Sequence, residues 1–460
     1  VRTLARACPA CCRPTAGAEL RAHEGVGLAV LGLVAFNVPG WTPREGLCPD
    51  CARRFADAFA LLRSRLAGFD GLGILPTPLR LGASDRRRGR GVTIAFLDSG
   101  FHAHPDLTEP ADRILAHVDL TRPRPRPGPV PPPDESSWHG LMTSVVACGN
   151  GRLSGGLYRG LASEARLVLV KCGTARRIRH QDIERGLRWV VAHRERYGIR
   201  VANVSCGGDY EASYLEDGLS AAAEEAARAG VLVCAAVGNQ GHHQRHPVLP
   251  PASAPSVLAV GGLDDKNRLA FGGFEMYHSS YGPTVDGLQK PEVIAPSIWV
   301  AAPILPGTPT AAQAALLERL EALPDARLAG AIRAESGVDA DLEAAVDLAP
   351  PLLRELVRVK RRDGNVISGA YKHVDGTSFA APIVSSLAAQ MLEAHPGLRP
   401  MDLRRLVVAT ARRIPHVEAD RQGFGVIDPA QAVAAAEEAA ARAGATEKAS
   451  GRLAAPRATS

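Results

Sequence analysis

Two hydrophobic rhythms alternate through the middle of the chain. Residues 92–97, 167–170, 201–204 and 231–237 are short, almost unbroken apolar runs of strand length, while residues 181–197 and 219–229 between them carry helical spacing. Runs that are apolar at nearly every position suit strands buried on both faces. Their alternation with helices predicts an α/β fold around a mostly parallel sheet. Further along, residues 379–391 form an Ala-rich apolar segment of helical length behind Gly376-Thr377-Ser378.

The ends of these elements hold the polar residues that could do chemistry. The run 92–97 stops at Asp98-Ser99-Gly100, and the run 231–237 delivers Gly238-Asn239-Gln240-Gly241. Sites in open α/β sheets lie beyond the carboxyl ends of strands, where both segments fall. His139 opens a helical segment that continues through Ala147, and Ser378 begins the helix at 379, where the positive helix end favours developing negative charge on its hydroxyl. Singly, each has a plainer explanation: a helix cap, a turn, a structural histidine.

The amino-terminal region has neither rhythm. Cys8-Pro9-Ala10-Cys11 and Cys48-Pro49-Asp50-Cys51 are two C-x-x-C knuckles 36 residues apart, which supply four soft ligands for a closed tetrahedral site. Zinc suits this set, iron bound by four thiolates uses the same ligands, and two redox dithiols are the alternative. Cys12 is a spare that could replace Cys11. A short segment with little core of its own would depend on such a metal, and the module is expected to be energetically separate from the rest of the chain. Residues 52–68 have the spacing of a basic amphipathic helix. Residues 84–91, rich in Arg and Gly, predict a flexible linker that could also be a self-cleavage site.

Composition narrows the classes. With 460 residues, 46% hydrophobic content and a net charge of +6, the chain has material for a large core and an accessory module, and its charge does not argue for a nucleic-acid partner. Residues 26–36 are apolar but too short to span a bilayer, so no membrane association is expected. No secretory signal is recognisable, which predicts a cytoplasmic protein. The Pro-rich residues 123–133 predict an exposed loop, and residues 441–460 a disordered tail. His242, His243 and His246 come after Asn239 without a carboxylate at ligand spacing and are taken as a polar loop.

In the order Asp98-Ser99-Gly100, His139-Gly140, Gly238-Asn239 and Gly376-Thr377-Ser378-Phe379-Ala380-Ala381-Pro382, the chain closely resembles the subtilisin-like serine peptidases, the subtilase family. The resemblance runs through residues 91–300 and 370–440 and includes Lys290-Pro291-Glu292-Val293 and Gly423-Phe424-Gly425-Val426. It implies a subtilisin-like three-layer fold and hydrolysis of polypeptides, with Ser378 as nucleophile, His139 as general base and acid, Asp98 orienting the imidazole and Asn239 donating to the oxyanion. The segment Ser205, Cys206, Gly207 and Gly208 resembles the family strand that lines the first specificity pocket, although a cysteine there is unusual. Structural calcium is common in the family, but no loop here assigns its ligands.

Three departures stand out. Leu141 replaces the threonine usual after His-Gly, no inhibitory propeptide is recognisable before Asp98, and about 60 extra residues lie between Pro303 and Ser368. The resulting division is 1–83 for a zinc-ribbon-like module and its helix, 84–91 for the linker, 92–440 for the catalytic domain with a helical insertion over 303–368, and 441–460 for the tail. Helical patterns at 311–323 and 339–359 make the insertion a candidate lid or partner-docking element, as is the metal module. The leading expectation is a serine endopeptidase. Its competitor is a catalytically silent scaffold that binds peptides, with the zinc module recognising the partner.

Overall fold

The computed structural model describes residues 5–65 and 73–453. Its centre is a parallel sheet whose strands are β1 (Thr93–Asp98), β2 (Ile114–Asp119), β3 (Arg166–Lys171), β4 (Ile199–Val204), β5 (Leu232–Ala236), β6 (Leu258–Asp264) and β7 (Val293–Pro296). They lie in the order β7-β6-β5-β4-β1-β3-β2, and the short Glu275–Met276 strand adds antiparallel to β6. Every residue of β1 is buried, as the unbroken apolar run predicts. The order reverses between β1 and β4, so a crevice opens beyond the ends of those two strands, where Asp98 and Ser205 stand.

Helices cover both faces. One face packs against α1 (Ser137–Cys148), α2 (Thr377–Ala394) and the start of α3 (Pro429–Leu453). The other face packs against α4 (His180–Tyr197) and α5 (Gly218–Arg228). Helix α2 is buried almost all round, which accounts for its Ala-rich, charge-poor sequence through Leu392. Helix α3 continues through Leu453 and so reaches into the stretch where composition predicts a disordered tail, while 454–460 lie outside the described residues.

The linker at 84–91 proves to be docked. The backbone N–H groups of Arg88 and Arg90 donate to Glu393, Arg87 pairs with Glu437, and Arg90 pairs with Glu164. Gln390 donates to the Arg87 carbonyl. Its arginines hold the joint against α2 and α3.

Nor is the amino-terminal module a separate unit. Its core, formed around Val34, Leu47, Phe55 and the four cysteines, includes Leu269 and Ala270 from the loop after β6. Polar ties reinforce the junction: Phe271 donates to the Ala10 carbonyl, Leu269 to Asn37, and Arg13 pairs with Asp428. The basic helix read at 52–68 is observed as Pro49–Arg65, and residues 66–68 lie outside the described residues. The apolar stretch at 26–36 forms the helix Leu28–Asn37, which buries Val30 and Val34 but leaves Leu28 and Phe36 exposed.

The insertion leaves the sheet through the strand Val300–Pro303 and returns through Tyr371–Val374, which pair antiparallel as β8 and β9. Between them stand α6 (Pro309–Ala322), α7 (Leu328–Ala334), α8 (Ala340–Ala344) and α9 (Pro350–Asp363). The single helical pattern at 339–359 is therefore two helices, because Pro350 and Pro351 cannot continue the first and begin the second.

Candidate functional site

Strand β1 carries Asp98 to the crevice, where its carboxylate is fully buried. It accepts from the Ser99 N–H at 2.7 Å and from Thr143 Oγ1 at 3.2 Å, and both of its oxygens lie 2.9 Å from His139 Nδ1. The approach of α1 to β1 requires a glycine: a Cβ on Gly140 would stand 2.1 Å from the Gly100 carbonyl oxygen. With Nδ1 held by Asp98, the other ring nitrogen is left to act as a base. Burial disfavours the imidazolium, but the charge and hydrogen bond of Asp98 outweigh it, so the His139 pKa is raised.

Ser378 sits in the first turn of α2, behind Gly376, whose φ of +136° suits a residue without a side chain. Its Oγ donates to the Ser205 carbonyl at 3.1 Å, while Ser205 Oγ donates to the Ser378 carbonyl at 2.8 Å. Pro382, four residues on, has no N–H to engage that carbonyl within the helix, so Ser205 takes its place. Nucleophile candidate and the Ser205–Gly208 segment are thereby fastened to each other.

Asn239 stands just beyond β5, and its Oδ1 accepts from both the backbone N–H and the hydroxyl of Thr377, at 3.0 and 2.8 Å. With the oxygen occupied, the Nδ2 donors remain for a ligand oxygen. Ser378, His139 and Asn239 line one cavity of about 640 Å³ together with Trp138, Met142 and Phe379. A hydroxyl, an imidazole backed by a buried carboxylate, and a preoriented amide donor can together attack a carbonyl and stabilise the resulting oxyanion.

The Subtilase family (Peptidase S8) matches residues 89–425, nearly three-quarters of the chain. The chain belongs to the subtilase family. It is similar to serine protease AprX of Bacillus subtilis (strain 168), 28% identical over 332 residues that make up 69% of this chain and 61% of AprX. Subtilisin BL of Lederbergia lenta is 30% identical over 215 residues, 46% of this chain and 66% of that relative. The chain thus spans about three-fifths to two-thirds of these relatives' own length. Among solved structures, proteases from Pseudoalteromonas arctica PAMC 21717 align with a TM-score of 0.53 at 22% identity, over 81% of this chain and 97% of theirs. Fervidolysin from Fervidobacterium pennivorans gives 0.52 at 20%, over 78% and 45%. Both show the same fold.

In this subtilase the four amino-terminal cysteines do meet. The sulfurs of Cys8, Cys11, Cys48 and Cys51 all lie within 4.8 Å of one another, and Cys11 and Cys48 are 3.7 Å apart. Four thiolates at the usual zinc distance stand ~3.8 Å apart along a tetrahedral edge, so the set fits such an ion. Mutual hydrogen bonds lower the Cys8 and Cys11 thiols and raise those of Cys48 and Cys51, so the four share protons until a cation draws them all off and leaves thiolates. The Cys48 N–H also points at Cys8 Sγ. Cys12, the spare, turns away and donates to the Phe271 carbonyl. His242, His243 and His246 do not converge on a metal-sized site, and His246 instead stacks on Tyr281.

Cys206 does not line the cavity; its thiol lies against the Leu97 carbonyl at 3.9 Å, and burial together with the Asp98 charge raises its pKa. Leu141 is wholly buried in the core. Sequence alone does not single out Thr377, which orients Asn239, or Lys171. The Lys171 ammonium donates to the Ser99 carbonyl at 2.7 Å and to Ser136, joining the turn that bears Asp98 to the start of the helix that bears His139. A lysine ending an apolar strand, like the aspartate ending β1, is the signal that could have found it.

Proposed function

We propose that the protein is a serine endopeptidase that hydrolyses peptide bonds through Ser378, His139, Asp98 and Asn239. The observation that carries this reading is the double hold on His139 Nδ1 by the buried Asp98 carboxylate, in a cavity shared with Ser378 and Asn239. Ser378 Oγ attacks the scissile carbonyl as His139 takes its proton, and the Asn239 amide receives the oxyanion. His139 then returns the proton to the departing amine, and a water repeats the sequence to release the acid. Asp98 keeps the imidazole in the tautomer that can accept, and stabilises it once charged.

Ser205 to Gly208 would guide the acyl side of the substrate as an added strand. A zinc ion held by Cys8, Cys11, Cys48 and Cys51 would supply structural cross-linking and no catalytic chemistry, because four protein ligands close its coordination. Cytoplasmic location belongs to the same reading and is supported by the buried, unpaired thiols of Cys148, Cys172 and Cys234.

The test is covalent labelling by a fluorophosphonate together with hydrolysis of a peptide mixture. Ser378→Ala should abolish both while leaving the circular dichroism unchanged. Asn239→Ala should lower kcat by about 10²- to 10³-fold with labelling slowed in parallel. Full hydrolysis by the Ser378 variant would end the assignment.

A further inference from the structure

The cavity that holds Ser378 is finished by the insertion. Its insertion side is formed by Leu305, Thr308 and Thr310 where the chain enters α6, and by Asn365, Lys372 and His373 where it returns. None of the residues from Ser205 to Gly208 contributes. If that segment guides the acyl side, the cavity takes the other side of the scissile bond, so the inference rests on the proposed peptidase function.

The charge of this wall is uneven. Lys372 is half-buried on β9, and its ammonium has no ion-pair or hydrogen-bond partner among the described residues. His373 beside it is driven toward the neutral form by burial and by the Lys372 charge, and its ring packs near Trp299. Thr308 Oγ1 is occupied by the Leu305 carbonyl and the Ala311 N–H, whereas the Thr310 and Asn365 side chains have no such tie among the described residues. Asp375, also on the cavity lining, accepts from Tyr277, and its negative charge acts on His373 against the Lys372 charge. Glu135, also on the cavity lining, is exposed and has no ion-pair partner among the described residues. A half-buried cation that neither Asp375 nor Glu135 pairs directly can accept a substrate carboxylate, with Asn365 and Thr310 as neutral donors beside it.

We infer that Lys372, with Asn365 and Thr310, forms a leaving-side subsite that binds a substrate carboxylate, so that the enzyme favours bonds followed closely by an acidic residue or by the chain's terminal carboxylate. Glu135, on the same cavity lining, repels a substrate carboxylate that is not seated on Lys372.

The experiment uses peptides with one fixed acyl side, carrying Glu, Gln or Lys at each of the first three leaving-side positions, and a short series ending in a free carboxylate or an amide. Cleavage is read as kcat/KM for the wild type. Binding of the same peptides to Ser378→Ala, monitored by fluorescence anisotropy, reads the subsite without turnover. At one position Glu should exceed Lys by about tenfold or more, with Gln between, because a charge-assisted hydrogen bond is replaced by a neutral one or by repulsion. Lys372→Met should erase the preference, Lys372→Glu should reverse it, and Glu135→Gln should enlarge it. The carboxylate-ended series separates a terminal from a side-chain source. Equal cleavage and equal binding of Glu and Lys peptides, or a Glu preference that survives both Lys372 variants, would overturn the inference. Selective binding without any cleavage would instead remove the peptidase reading and leave the carboxylate subsite standing.

Discussion

The helical insertion and the cysteine module are both additions to one catalytic body, yet they are attached by different physics. The insertion encloses its own core, Leu316, Leu317, Leu320, Leu328, Ile332, Leu342, Leu353 and Val357, and its strongest polar ties are internal. Arg354, for example, donates to the carbonyls of Leu320 and Leu323 and pairs with Asp325. The β8-β9 hairpin carries it, with Leu305 seated in the main core and Ile367 against Leu157, Tyr158 and Tyr371 at its base. The cysteine module completes its core with Leu269 and Ala270 from the catalytic body, and Arg412 of that body donates to the Cys11 carbonyl while lying 3.6 Å over the Phe271 ring. A segment with its own core can be inserted beside an active site without changing how the rest folds. One that borrows its core becomes part of the fold it joins.

Metal removal should therefore have the largest effect. Stripping the proposed zinc with a chelator, or Cys48→Ser, should cost on the order of 10 kcal/mol of binding-linked folding energy. Calorimetry should show the loss in the main unfolding transition. A catalytic body melting unchanged while residues 1–65 exchange freely would restore the separate-module picture.

The next effect concerns the catalytic centre, with the insertion removed. Replacing residues 305–369 by Asn-Gly between Ile304 and Ala370 should leave a folded chain that still carries the Asp98–His139 pair. Because that pair raises the histidine pKa and only the neutral ring accepts a proton, kcat/KM should fall as pH drops through a value above 6.5, with or without the insertion. Asp98→Asn should cut the rate by about 10⁴-fold and move the acid limb downward. An acid limb that disappears on excision would mean the insertion helps to build the centre.

Much of this architecture is readable in the sequence because it is locally encoded. Fully buried strands write themselves as apolar runs, and Asp98, Asn239 and Ser378 fall at the element ends where a crevice must lie. What stays hidden depends on distant partners. The arginines at 87, 88 and 90 resemble a solvated hinge until Glu437, Glu393 and Glu164 come within reach. Thr377 is an ordinary helix-start residue until Asn239, 138 positions earlier, is set against it. The helix continuing through Leu453 overrides a composition that suggests disorder, and two prolines split a helical pattern that periodicity alone joins.

Smaller effects test the two cores individually. Leu317→Ala, at a wholly buried position, should cost about 2–5 kcal/mol, confined to residues 309–363 in hydrogen exchange and absent from the melting of the sheet. Arg412→Ala should cost about 1–3 kcal/mol through the lost cation–π contact and carbonyl bond, and it should speed metal release, measured with a chromophoric chelator. Within the sheet, Leu317→Ala should accelerate exchange less than Arg412→Ala does; the reverse ordering would contradict the contrast between an enclosed core and a borrowed one.

Pro382 has a consequence for how the enzyme would respond to substrate. With no amide hydrogen at 382, the Ser378 carbonyl answers to Ser205 and not to its own helix, so the proposed nucleophile's backbone is registered to the edge along which a substrate strand would lie. Any shift of that edge on binding is carried to the attacking oxygen through two hydrogen bonds, without passing through the helix. The reactive group and the ruler that measures the substrate are in this sense one mechanical part.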